Sequence, residues 1–154
     1  MAELTNAVRL LKDAGAFIDA YEITNDFTDA AELAAKMGLD PDRVFKTLVT
    51  VGKSGTHHVF MVPSRAKLDL KKAAAACGEK FVEMIPQKDL LKTTGYVHGG
   101  CSPVAMKKQF ETFIDETCVL FENICFSAGR VGELADVKTG VFIDKFGITV
   151  ADIT

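Results

Sequence analysis

The sequence predicts an α/β (α+β) fold, a single domain over residues 1–154 in which helices surround a curved, mixed β-sheet. Three observations lead there. Short β-branched and aromatic runs alternate with short helical patterns, glycines stand at the ends of most helices, and no repeat or low-complexity tract interrupts the series. With 48% of 154 residues hydrophobic, one core burying roughly 70% of the unfolded surface is expected.

A first helix is read over Asn6 to Ala14, stopped by Gly15, followed by the alternating strand Phe17 to Tyr21. A second helix, Asp29 to Met37, carries a capping-box-like Asp29/Glu32 pair and ends at Gly38. Asp40-Pro41 starts a short turn, because proline suits the first helical position. Strands 44–51 and 57–62 form a hairpin around Gly52-Lys53-Ser54-Gly55. Asp69 to Cys77 is an alanine-rich helix closed by Gly78. Then come strand Phe81 to Ile85, a helix from Gln87 to Thr93, a strand end at Tyr96-Val97, and strands 112–115, 123–128 and 133–137. A last helix over 139–146 stops at Gly147 before the closing strand Ile148 to Ile153.

Composition removes several function classes. No apolar run approaches the roughly 20 residues that span a bilayer, and the N-terminus around Glu3 lacks a signal-peptide pattern, so a cytoplasmic protein with no membrane partner is expected. Cys77, Cys101, Cys118 and Cys125 show neither a C-x-x-C pair nor zinc-finger spacing, which predicts reduced thiols, no metal and no cofactor. A net charge of −3 argues against gripping nucleic acid through a broad positive field. Lysines and arginines do cluster locally, at Arg65/Lys67/Lys71/Lys72, Lys88/Lys92 and Lys107/Lys108, so RNA would be held locally or with a partner's help.

Lys46 breaks an otherwise apolar strand, Val44-Phe45-Lys46-Thr47-Leu48-Val49-Thr50-Val51. Strand parity puts Val44, Lys46 and Leu48 on one face and Phe45, Thr47 and Val49 on the other, so both faces are otherwise largely apolar. A snorkelling or salt-bridged lysine is the alternative to a functional one. Further on, Gly99-Gly100-Cys101-Ser102-Pro103 offers bare backbone whose N–H groups suit a phosphate or an oxyanion, although an ordinary tight turn has the same composition. A fixed cation and such a loop point to an anionic ligand. His57 and His58 point to opposite faces of their strand, His98 adjoins the glycine loop, and nothing resembles a catalytic triad.

The Phe45-Lys46-Thr47 strand, the Gly99-Gly100-x-Ser102-Pro103 loop and Tyr21 on the first strand resemble the YbaK/EbsC family of aminoacyl-tRNA deacylases, over about Asn6 to Ile153. That family includes the editing domain of bacterial prolyl-tRNA synthetases, and the closest match is its free-standing YbaK type, which removes cysteine mischarged onto tRNA(Pro). The resemblance implies a partly closed, barrel-like sheet. It also implies that Lys46, Gly99 and Gly100 are catalytic, Lys46 holding the 3′-terminal phosphate or ester oxygens, and that Tyr21, Thr47, Cys101, Ser102 and Pro103 bind substrate. Cys101 stands where aliphatic residues are common. Near the C-terminus the chain departs from the family pattern, with uncharged Leu134 where some members carry a functional aspartate and Asp136, two positions on, as the remaining substrate-binding candidate.

An aminoacyl ester is already activated, so orientation and oxyanion stabilisation matter more than a strong protein nucleophile. Either a positioned water or the substrate's own thiol can attack. The implied partners are mischarged tRNA through its 3′ aminoacyl end, and prolyl-tRNA synthetase or another synthetase. Three alternatives stay open: a deacylase for another small amino acid, such as Ala-tRNA(Pro); a non-catalytic module binding nucleotides or RNA ends; and an interaction protein in which Lys46 is structural.

Overall fold

The structure, a computed structural model, describes residues 4–22, 34–35 and 38–154. The expected helix Asp29–Met37 falls mostly outside the described residues, with Ala34 and Ala35 helical; the Asp29/Glu32 pair and Glu3 lie outside them too.

Helix α1 (Asn6–Asp13) begins where the Thr5 hydroxyl accepts from the Val8 N–H, and it buries Ala7, Val8 and Leu11. The Thr5 hydroxyl also donates to the Ala128 carbonyl, tying the cap to the end of a distant strand. Strand β1 (Phe17–Glu22) pairs antiparallel with β7 (Glu133–Lys138), which pairs antiparallel with β6 (Asn123–Ser127). These make a three-stranded sheet in the order β1-β7-β6.

A second, five-stranded sheet has the order β4-β2-β3-β5-β8. Strands β2 (Phe45–Gly52) and β3 (His57–Pro63) form the expected hairpin, and β4 (Val82–Met84) pairs antiparallel with β2. Strands β5 (Glu111–Asp115) and β8 (Thr149–Ala151) continue it in parallel, so this sheet is mixed as expected. The sheets meet at one bridge, Val44 to Cys125, and among the described residues neither sheet is closed.

Helix α2 (Leu70–Cys77) is capped by the Asp69 carboxylate, which accepts from the N–H groups of Lys71 and Lys72. Its buried Ala73 and Ala74 pack on Phe60 and Phe113, whose rings stack 5.2 Å apart. The segment after β4 is a 3₁₀ turn, Gln87–Asp89, running into α3 (Leu90–Thr94). Helix α4 (Thr139–Phe146) covers the three-stranded sheet, its Phe142 ring 4.8 Å from Phe126 in the main core.

The expectation of a strand end at Tyr96-Val97 is corrected. These residues lie in an irregular turn. The Tyr96 phenol donates to the Val104 carbonyl at 2.6 Å and its N–H to the Thr94 hydroxyl at 3.0 Å, so local loop contacts replace a sheet partner.

Buried His58 of β3 joins three segments. Its Nε2 lies 2.8 Å from a Glu79 oxygen and its Nδ1 lies 3.2 Å from Glu111, while Glu79 also accepts from the Ser54 hydroxyl at 2.6 Å. A Cβ at position 52 would displace the Glu79 carboxylate from its place beside Ser54 and His58.

Two stability predictions follow from this packing. Phe126→Ala should lower the unfolding free energy in urea by about 3–5 kcal/mol, as for other buried aromatic truncations. The hydrogen bonds from Ser54 and then His58 hold the Glu79 carboxyl below its ordinary range. The stabilisation from that shift is therefore complete above the unfolded carboxyl pKa of about 4.3 and lost as pH falls through the lower folded value. In acid titrations of the urea midpoint, Glu79→Gln should show a smaller loss across that window than the unaltered protein.

Candidate functional site

Strand β2 is paired with β3 from Phe45 to Val51, but with β4 only from Thr50 to Gly52. Among the described residues, Lys46 to Leu48 have no strand partner on the second edge, between the Val44–Cys125 bridge and β4. A cavity of about 440 Å³ runs along that edge, lined by Phe45–Val49, by Met84, Ile85, Gln87 and Leu90 around α3, by His98, Gly99 and Cys101, and by Gly132–Leu134. Its volume is within the range of small-molecule sites.

The direction of the backbone groups follows from two bonds. The Val44 carbonyl accepts from Ser64 on the β3 side at 2.8 Å, whereas the Val49 carbonyl accepts from Ile85 on the other side at 3.2 Å. Alternation then turns the backbone groups of Phe45 and Thr47 away from β3; Phe45 stands beside the Val44–Cys125 bridge to β6, so it is Thr47 whose amide faces the open edge. Thr47 thus reaches the cavity although its side chain takes the opposite face from Lys46. Its buried hydroxyl oxygen has no hydrogen-bond partner among the described residues.

Lys46 is half-buried, lines the cavity and has no carboxylate within ion-pair distance among the described residues. The salt-bridged alternative therefore does not describe it. The neighbours include apolar Phe45, Leu48, Val49, Ile85, Leu90 and Leu134, which lower the local dielectric and raise the value of a positive charge there.

The glycine loop forms the opposite rim. Gly99 has φ +85°, the left-handed region, and a Cβ at Gly100 would come within 3.0 Å of the Val131 nitrogen, so the pair lets this loop pack on the 130–132 turn. The expectation that both glycines present unobstructed donors needs correction at Gly100, whose N–H donates to the Val97 carbonyl at 3.0 Å. The Gly99 and Cys101 N–H groups have no such partner among the described residues. Ser102 and Pro103 are buried behind the rim and do not line the cavity, and the Ser102 hydroxyl accepts from Val104 at 3.4 Å. Burial pushes the Cys101 thiol up to about 12, so it stays protonated at neutral pH.

Tyr21 and Asp136, expected in the pocket, are brought together beside it. The Tyr21 phenol donates to Asp136 at 2.8 Å, and Arg43 pairs with both oxygens of the same carboxylate at 3.1 and 3.3 Å. Neither Tyr21 nor Asp136 lines the cavity, whereas Leu134, packed with Tyr21, does. The hydrogen bond to Asp136, with burial, raises the Tyr21 pKa and keeps the phenol protonated.

Two residues escaped the sequence reading. Nothing in the sequence singles out Arg43, in the turn before β2; the structure pairs it with Asp136 on β7 at 3.1 Å. Glu133 opens β7, lines the cavity and is buried. Its pKa is raised by burial, with Arg130 acting in the opposite sense and Glu22 raising it further. The only sequence signal was an Arg130-x-x-Glu133 spacing, which the structure closes at 3.3 Å. His98 is exposed at the mouth, and His57 packs edge-on to Phe110 outside the cavity. Among the described residues no group of three His, Cys, Asp or Glu is arranged to hold a metal, and no helix is long and apolar enough to cross a membrane.

The family model described as "Aminoacyl-tRNA editing domain" matches residues 24–144. A relative from Enterococcus faecalis, EbsC, provisionally named a Cys-tRNA(Pro)/Cys-tRNA(Cys) deacylase, is 40% identical over 152 residues, covering 97% of this chain and 93% of that protein. Among solved structures, a provisionally assigned trans-editing enzyme for prolyl-tRNA synthetase superposes with a TM-score of 0.84 at 23% identity over 99% of both chains. A hypothetical protein superposes at 0.85 with 21% identity, over 94% of this chain and 96% of its own. At those identities the two structures speak for the fold. The family match and the 40% identical relative together establish that this chain belongs to the aminoacyl-tRNA editing domain family.

Proposed function

We propose that the chain is a free-standing deacylase that hydrolyses the ester of mischarged Cys-tRNA(Pro), acting as a single domain in the cytoplasm and in translation quality control. The observation that carries this reading is the Lys46 side chain, without a carboxylate partner among the described residues, in an apolar cavity rimmed by the Gly99 and Cys101 amides. The 40% identical relative with a Cys-tRNA deacylase name supports the choice of substrate.

The chemistry follows from charge. Attack on the ester carbonyl moves negative charge to the carbonyl oxygen, and a nearby cation with aligned N–H donors stabilises that charge more than it stabilises the neutral ester. Lys46 would also hold the terminal phosphate or ester oxygens. Gly99 and Cys101 supply the free amides, Thr47 presents its backbone from the open edge of β2, and Gly100, Ser102 and Pro103 hold the rim in place. Tyr21 and Asp136 with Arg43 brace the cavity wall from outside. The open side of a partly closed barrel is a natural position for such a site, and the Val44–Cys125 bridge supports that view of the two sheets. With a net charge of −3, the protein is proposed to select tRNA with help from prolyl-tRNA synthetase or another synthetase.

The decisive assay compares cysteine, alanine and proline esters of tRNA(Pro). Lys46→Ala should keep its circular dichroism spectrum and lose roughly 100-fold or more in kcat/KM on the cysteine ester, the scale of losing one oxyanion contact. No hydrolysis by the unaltered protein, with or without synthetase, would overturn the reading. Held protonated by burial, the Cys101 thiol is a poor nucleophile, so Cys101→Ala should retain activity within about tenfold, a change of packing alone. In the native protein Cys101 should resist alkylation at pH 8 until denaturant is added, as read by mass spectrometry.

A further inference from the structure

Lys46 and Glu133 are the two side chains of full formal charge lining the cavity among the described residues, and their signs are opposite. They come from different sheets, Lys46 from β2 and Glu133 from the first position of β7. The Glu133 side chain is only 8% exposed. A carboxylate so placed is costly unless positive charge surrounds it. Arg130 Nε, 3.3 Å from Glu133 Oε2, supplies part of it. Glu22, however, stands directly opposite Glu133 in the β1–β7 register, so two carboxylates meet that corner. Like charges facing each other across a strand pair repel, which leaves room for one more cation.

An aminoacyl ester carries that cation. Its α-ammonium sits on the carbon next to the ester carbonyl, so a ligand whose carbonyl is near a fixed positive group brings its own positive group along. We infer that Glu133 is a specificity-determining residue that accepts hydrogen bonds from the α-ammonium of the aminoacyl ester, so that the cavity favours esters with a free amine over N-acylated ones. The inference rests on the deacylase reading and deepens it. Leu134, beside Glu133 in the cavity lining, is apolar and cannot take this role. Burial and Glu22 raise the Glu133 pKa, and a bound ammonium would oppose both effects by stabilising the carboxylate. The consequence is a chemical filter: an ester whose amine is acylated, as at the end of a growing peptide, has no charge to offer this corner and loses the contact.

The test compares Cys-tRNA(Pro) with N-acetyl-Cys-tRNA(Pro), which differ in the amine and share the thiol, ester and RNA. The unaltered protein should favour the free amine by roughly tenfold or more in kcat/KM, the scale of one charge-assisted hydrogen bond. Glu133→Gln should collapse that ratio toward one by raising KM for the free-amine ester far more than for the N-acetyl ester, and Glu133→Asp should restore part of the ratio. Equal hydrolysis of both esters by the unaltered protein would overturn the inference whatever the variants do, so a folding defect in Glu133→Gln cannot shelter it. An equal loss on both esters in a folded Glu133→Gln would overturn it too, as the mark of a structural role. Failure of the unaltered protein on every ester would instead remove the deacylase reading itself.

Discussion

The structure turns on a strand edge that stops being paired. Strand β2 is bonded to β3 throughout, but β4 reaches only its last residues and β6 is bridged to the chain only at Val44, just before it. An unpaired edge is ordinarily a hazard, because exposed amides recruit other strands. Here α3 and the two glycine-containing turns stand over it, so the edge opens into a cavity instead of onto a flat surface. The amides left over from sheet formation, and the one lysine in that strand, thereby become the polar equipment of an apolar site.

That arrangement divides the labour between the two sheets. The five-stranded sheet contributes the cation and the open edge, while the three-stranded sheet contributes Glu133 and the turn against which Gly100 packs. The Arg43–Asp136–Tyr21 cluster links them, since Arg43 precedes β2 and Asp136 lies on β7. A partly buried pair with several hydrogen bonds fixes geometry more than it adds stability. Its place beside the cavity, and not within it, suits that purpose.

Much of this was legible in the sequence. Lysine within a β-branched run and the glycines that follow the helices at Gly15, Gly78 and Gly147 are local signals, and those elements stand where they were expected. What could not be read was anything that depends on register between distant segments. Tyr21 and Asp136 were named as pocket residues, yet their partnership needs β1 to lie on β7, and Arg43 enters only once β6 is placed beside them. Gly100 looked like a donor, but its N–H is taken up inside its own turn. Tyr96 and Val97 have strand-like composition and became a turn because the Tyr96 hydroxyl found the Val104 carbonyl eight residues on. Glu133 was hidden by its neighbour Leu134, whose neutrality drew attention to Asp136 instead.

The brevity of the cavity's outer wall has its own consequence. Strand β4 spans only Val82–Met84 and α3 only Leu90–Thr94, and the exposed Leu91 and Met84 show how little of this segment is buried. Elements this short nucleate poorly and hold few protected amides, so the wall belongs to the part of the molecule that opens locally at small cost while β2 and β3 stay closed. The outer wall of the cavity is then compliant and the wall holding Lys46 is stiff. Access to the cavity can be governed by breathing of one thin wall without disturbing the groups on the other.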